Sequence, residues 1–224
     1  MTSLSDRARS RITARRVATE EDRKLALQVV EKVYRREKRW ISDAEAEIPL
    51  DAGCRTDRSW FLVLAGSRPA GVIRLVYDPS LELPAEYGVT FEPGVDPAAL
   101  GRRGRFVEIG RFMIAPRYRR HIRIAMKLLR SAIVEVVERG YTHFLTDVFE
   151  HDPHSPLGFH TRVLGFERIG SHSTGELTCA SRRIILLLDI ARAYQRLEQR
   201  RNMVWRELGA GMSELMERRL LPIT

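Results

Sequence analysis

The chain has 224 residues, 44% of them hydrophobic and 30% charged, which is the composition of a globular domain with enough apolar material for a sizeable core, not of a disordered tail. Two cysteines, Cys54 and Cys179, argue against a disulfide framework or a zinc finger, the polar, Arg-rich stretch from Met1 to Arg16 argues against a secretory signal, and no window approaches the roughly 20 apolar residues of a membrane span, so the expected setting is cytoplasmic. Thirty-eight basic against 29 acidic residues leave +9, a charge that attracts an acidic partner: nucleic acid, an anionic membrane face or an acidic carrier protein.

Residues 1–12 read as a flexible polar arm. Thr19-Glu20-Glu21-Asp22 is the signature of a capping box, and Ala26, Val29, Val30, Val33 and Tyr34 recur on one face of a helix that reaches about Arg39. Residues 41–58 are polar and turn-rich. Trp60–Leu64 and Gly71–Tyr77 predict two strands joined across Gly66-Ser67-Arg68-Pro69 as a hairpin. A long connection, 78–104, carries four prolines and several glycines, and a loop of that length in a compact domain is functional or mobile.

Phe106 to Ala115 reads as a strand stopped by Pro116. Ile122, Ala125, Met126, Leu129, Ile133, Val136 and Val137 give a helix of about five turns closed by Gly140 as a left-handed cap. Tyr141–Phe149 is a strand, Pro156–Leu164 a short helix, and two further strands end near His172 and Ile190. The order predicts an α/β fold, a mixed sheet flanked by helices over residues 13–190. Residues 191–224 form a charged helical extension whose apolar face, Ala193, Leu197, Val204 and Leu208, packs on the body or on a second subunit of a homodimer.

Three local motifs add a resemblance. Glu108-Ile109-Gly110-Arg111-Phe112, Gly71-Val72-Ile73-Arg74-Leu75, and the pair Tyr34 and Trp40 with Glu37 between them are similar to the strand and helix-end motifs of acyl-homoserine-lactone synthases and N-acyl amino acid synthases. These form a branch of the GNAT acyltransferase superfamily. Ile114–Arg119 resembles that superfamily's passage from strand to helix, and Phe159–Phe166 its later "FY…LGF" segment. The resemblance departs in three places: Val30 stands where the branch often has arginine, the run Arg119–Ala125 has no glycine in the phosphate turn, and His160 replaces the superfamily's tyrosine acid.

The resemblance implies a GNAT-like fold, an enzyme that transfers an acyl group from a thioester to an amine, and no permanently bound cofactor or metal. The donor is an acyl-phosphopantetheine, carried by acyl carrier protein or, as the alternative, by coenzyme A. The glycine-free turn cradles a coenzyme A diphosphate poorly and so favours the carrier protein, whose acidity suits the +9 charge. Glu108 is the first choice for the base that frees the acceptor's amine, against a structural ion pair with Arg111. Ideal strand geometry puts Glu108 and Arg111 on opposite faces unless a bulge intervenes; the resemblance implies such a bulge, and Gly110 permits it.

Arg111 and Arg74 either grip an acceptor carboxylate or brace Glu108. Backbone N–H groups near Phe112 and Met113 polarise the thioester carbonyl, Tyr34 and Trp40 line the acyl or acceptor pocket, and Arg119, Arg120 and Arg123 meet the donor phosphate. His160 is a candidate proton donor to the leaving thiol. His143, His151 and His154 show no metal-ligand spacing. Two alternatives share the class, a lactone synthase using S-adenosylmethionine and a coenzyme-A-dependent transferase; a nucleic-acid-binding protein on a non-catalytic fold is the alternative from another class.

Overall fold

A computed structural model describes residues 11–80, 87–175, 177, 179 and 181–220. Most of the arm read at 1–12, and part of the long connection at 78–104, lie outside the described residues. One eight-stranded sheet organises the chain, with strands in the order β1-β2-β3-β5-β6-β8-β7-β4. The outermost strand β1 (Ile12–Arg16) pairs antiparallel with β2 (Arg58–Ala65). Sequence periodicity passes over it because three of its five residues, Thr13, Arg15 and Arg16, are polar; an edge strand carries such residues readily.

Thr19 caps α1 (Glu20–Val30): its Oγ1 accepts from Asp22 N at 3.1 Å while the Asp22 carboxylate accepts from Thr19 N. The helix continues without a break into a widened stretch, Glu31–Glu37, where Lys38 N–H reaches back five residues to Val33 O. Such π-turns recur at functional sites. Beyond them Arg39 turns the chain with φ +56° and Trp40 N–H bonds Tyr34 O.

β2 and β3 (Arg68–Tyr77) form the expected hairpin, closed tightly across Gly66-Ser67. In the long connection lie a two-residue strand, β4 (Thr90–Phe91), and a short helix, α2 (Pro97–Gly101). β5 (Phe106–Ile114) pairs antiparallel with β3, and α3 (Ile122–Glu138) carries the chain to β6 (His143–Phe149), which lies parallel to β5. α3 ends at Gly140 with φ +72°. Its buried face includes Ile124, Leu128 and Ala132, whereas Ile122, expected inside, is exposed at the first turn. A widened helical stretch, Phe159–Leu164, stops at Gly165 with φ +81° and leads into β7 (Glu167–His172), and β8 (Arg183–Asp189) inserts between β6 and β7.

Both sheet faces are covered, which is why β2 reads as an unbroken apolar run. Trp60, Leu62 and Leu64 face the α1 side, and Phe61, Val63 and Ala65 face the α3 side. The C-terminal segment forms α4 (Ile190–Arg200), α5 (Met203–Leu208) and α6 (Ser213–Arg219). Ala193, Leu197, Val204 and Leu208 are buried in the α3-side core, so of the two packings expected this segment takes the one against the body. Among the described residues no helix is long and apolar enough to cross a membrane.

Candidate active site

The centre of the sheet comes apart. β5 and β6 are paired only from Phe106↔His143 to Ile109↔Thr146. Beyond that point β5 follows β3 as far as Gly71↔Ile114, and β6 follows β8 as far as Phe149↔Arg183. Thr146 Oγ1 donates to Ile109 O at 2.8 Å and so ends the ladder with its last carbonyl satisfied. A cleft of about 450 Å³ opens in the gap, lined by the free half of β5, the end of β6 and the widened end of the first helix.

The bulge in β5 is present between Gly110 and Met113, opposite Val72–Arg74. Its left-handed residue is Arg111, with φ +51°, and not Gly110. Gly110 is needed for room instead: a Cβ there would sit 2.9 Å from Arg74 Nη2 and 3.0 Å from Glu108 Oε1, because those side chains meet across it. Arg74 Nη2 donates to Glu108 Oε1 at 3.0 Å, with Glu108 one-third exposed to the cleft. The sequence offered Arg74 as a brace for Glu108 or a grip for the acceptor, and this geometry is the brace.

Arg111 pairs elsewhere. Its Nε donates to Glu47 Oε2 at 2.6 Å, both side chains being largely buried, and its guanidinium lies 5.7 Å from the Tyr34 ring. Burial pushes the Tyr34 hydroxyl up to about 12, so it is a neutral phenol at any working pH. Tyr34, Trp40 and Phe149 form a chain of rings with centroid distances of 5.3 and 4.3 Å. Lys38 lies over Trp40 and pairs with Asp152. Met113 packs toward α1 and Phe112 toward the α3 side, so the backbone between them runs along the edge that β6 has left.

Residues at the other end of the cleft escaped the sequence reading. Asp147 Oδ2 accepts from His172 Nε2 at 3.1 Å and from Arg183 Nη1 at 3.3 Å, while His172 Nδ1 donates to Thr174 O at 2.7 Å. Both imidazole nitrogens face acceptors, which calls for a proton on each. Burial works against that charge, but Asp147 and Thr174 raise the His172 pKa above its ordinary value. Burial likewise opposes the Asp147 carboxylate, and His172 with Arg183 holds its pKa below normal. The Arg183 guanidinium and the His172 ring therefore share one carboxylate. A signal existed: Asp147 is the one carboxylate on β6, a strand otherwise made of His143, Thr146 and apolar residues.

The three arginines proposed for the donor phosphate separate. Arg119 reaches the cleft, forks onto Glu37 with two bonds of 2.7 Å, and holds the Glu37 carboxyl below its usual range. Arg120 is exposed, and Arg123 pairs with Glu207 at 3.0 Å on the outer surface; neither lines the cleft. The glycine-free passage into α3 has a simple cause: Arg119 (φ −60°) and His121 (φ −99°) both turn with negative φ, so no glycine is required. His121 leaves the first turn of α3 without a side-chain cap.

His160 forms the inner wall, 1% exposed, with Nδ1 on Pro156 O at 2.9 Å and Phe112, Phe159 and Phe166 around its ring. Burial pulls its pKa down to about 4, the Pro156 carbonyl opposing only in part.

A sheet splayed beside a strand-to-helix passage is the architecture of the GNAT acyltransferases, and solved structures of that fold superpose. A putative GNAT acetyltransferase from Desulfovibrio desulfuricans matches with TM-score 0.54 and 14% identity over 80% of this chain and 99% of its own. PaiA N-acetyltransferase of Thermoplasma acidophilum, solved with coenzyme A, matches with TM-score 0.51 and 16% identity over 80% and 99%. FeeM, an N-acyl amino acid synthase from uncultured soil microbes, matches with TM-score 0.62 and 18% identity over 83% of this chain and 94% of its own. No curated protein sequence shows a significant match. Residues 26–181, more than half of the chain, match the sequence model of the N-acyl amino acid synthase FeeM family. The chain belongs to that family and is an N-acyltransferase.

Proposed function

We propose that this enzyme moves a fatty acyl group from the phosphopantetheine thioester of acyl carrier protein to the amine of an amino-acid-like acceptor. The observation that carries the proposal is the unpaired edge of β5 at the splay, with the Glu108–Arg74 pair beside it. A thioester laid along Phe112 and Met113 would have its carbonyl against the backbone of that edge, where N–H groups stabilise a developing oxyanion. Glu108, aligned by Arg74, takes a proton from the acceptor's ammonium, directly or through one water. The freed amine attacks the carbonyl carbon, the C–N bond forms, the C–S bond breaks, and the pantetheine thiolate takes up the amine's remaining excess proton.

That last proton is better routed through the Glu108 carboxyl or water than through His160. An imidazole with a pKa of about 4 is neutral at pH 7, and the proton on its Nδ1 is directed at Pro156 O. The acceptor's carboxylate suits the end of the cleft where His172 and Arg183 share Asp147, since Arg183 together with a protonated His172 would set two cations against one carboxylate. Tyr34, Trp40 and Phe149 give an aromatic wall for the acceptor's side chain. The donor's phosphate suits the uncapped first turn of α3, and the net charge of +9 suits an acidic carrier.

The test supplies purified enzyme with one acyl chain, on acyl carrier protein or on coenzyme A, and a panel of amino acids, and reads N-acyl products by mass spectrometry. A kcat/KM at least tenfold higher with the carrier protein is the expected result. Equal or better use of acyl-coenzyme A overturns the donor assignment, and acylation of amines lacking a carboxylate at the same rate overturns the acceptor assignment.

A further inference from the structure

The catalytic cleft is not the only void at the splay. On the opposite face of the sheet, beneath the C-terminal helices, lies an apolar chamber of about 60 Å³. Its walls include Ala132 from α3, Ala193 from α4, Trp205 from α5 and Met216 from α6. Two residues, Ile109 and His160, line both the chamber and the cleft. Ile109 is the last residue of β5 paired to β6, so the two voids meet where the strands part.

Resting on the acyl-transfer reading above, we propose that the chamber receives the distal end of the acyl chain and that the C-terminal helices set the longest chain accepted. Glu108 and Arg74 alternate along their strands with Ile109, Ile73 and Leu75, which belong to the α3-side core. The reacting groups therefore lie on the α1 face, and a chain with its carbonyl at Phe112–Met113 can pass between β5 and β6 to the α3 face. What it meets there is hydrocarbon. His160 fits such a passage because its ring is neutral and sits among Phe112, Phe159 and Phe166. Walls so largely apolar offer water few hydrogen bonds and gain from contact with hydrocarbon. The matched family region ends at residue 181, before α4 begins at Ile190, so the chamber's far wall is built by a segment outside that match.

The alternative is a mere packing defect, and substitutions on facing walls separate the two. With donors carrying saturated chains of graded length, Ala193→Leu should fill the chamber and shift the preferred length down by about two carbons, with kcat/KM falling about fourfold for each methylene that no longer fits. Shorter donors should react within twofold of wild type. Trp205→Leu should shift the preference toward longer chains. If Ala193→Leu does not fold, Ala132→Leu fills the same space from α3.

Folded variants with an unchanged length profile overturn the chamber assignment and leave the acyl-transfer proposal intact. A wild type that transfers no acyl group to any amine overturns the acyl-transfer proposal instead. The chamber is then judged by free saturated fatty acids: their melting-temperature gain should stop growing at a shorter chain in the filled variant, and identical gains in both proteins would again overturn it.

Discussion

The two halves of β5 obey different rules. From Phe106 to Ile109 the strand has a partner on each side and strict alternation, and Val107 and Ile109 are buried in the core. From Gly110 to Ile114 it keeps β3 but has lost β6, takes up a bulge, and places Arg111 in left-handed backbone. The first half is held by burial, with the Arg74–Glu108 pair at its end beside Gly110, and the second carries the Arg111–Glu47 pair. Rigid pairing positions Glu108, and the departure of β6 opens the cleft beside it. Strained, charge-held backbone beside a regular ladder is where proteins concentrate function.

Breaking the charge-held half should produce the largest effect on stability. Arg111→Ala strands the largely buried Glu47 carboxylate, at a cost of roughly 3 kcal/mol, read as a lower denaturation midpoint with an unchanged slope. Control variants Arg55→Ala or Arg58→Ala, whose pairs are more exposed, should differ from wild type by less than about 1 kcal/mol.

His160 sharpens the contrast through pH. Its folded pKa of about 4 lies below the ordinary 6.5, so between those values the unfolded chain binds more protons. The contribution is fully present above pH 6.5, is lost as pH falls toward 4, and amounts to roughly 3 kcal/mol. His160→Gln should flatten that part of the stability profile, whereas a profile as steep as wild type would place the titration elsewhere.

Thr146→Val tests the junction itself. It leaves the Ile109 carbonyl unsatisfied where the ladder ends and should cost about 1–3 kcal/mol, with faster amide exchange localised to Ile109 and its neighbours. The smallest effect belongs to Arg123→Ala. That side chain is 72% exposed and its partner Glu207 lies outside the cleft, so both stability and kcat/KM should stay within about twofold or 0.5 kcal/mol; a large loss with carrier-bound donors would return Arg123 to the donor's binding surface.

Elements with strong periodicity or specific punctuation were legible in the sequence. The Thr19–Asp22 capping box, the hairpin at Gly66 and the Gly140 cap each depend on local contacts that a few residues encode. β1 was not, because its apolar content is too slight to show a period. Site residues clustered in the chain, Glu108 to Met113 and Tyr34 to Trp40, do line the cleft together. Asp147, His172 and Arg183 were invisible as a set because strand order alone brings them together, and Glu47 was invisible because it reaches Arg111 from a turn 64 residues away. Arg119 and Arg123 look alike in sequence, yet four residues on a helix start separate the cleft from the outer surface.

The most direct measurement is single-turnover formation of N-acyl amino acid from acyl carrier protein thioester, wild type beside Glu108→Gln, with melting temperatures confirming that both are folded. If Glu108 removes the amine's proton, the variant should lose about 10²- to 10⁴-fold in rate, and raising pH should recover part of the loss as more of the acceptor becomes neutral amine. An equal rate in the two proteins at every pH would contradict the assignment of the base and, with it, the chemistry placed at the splay.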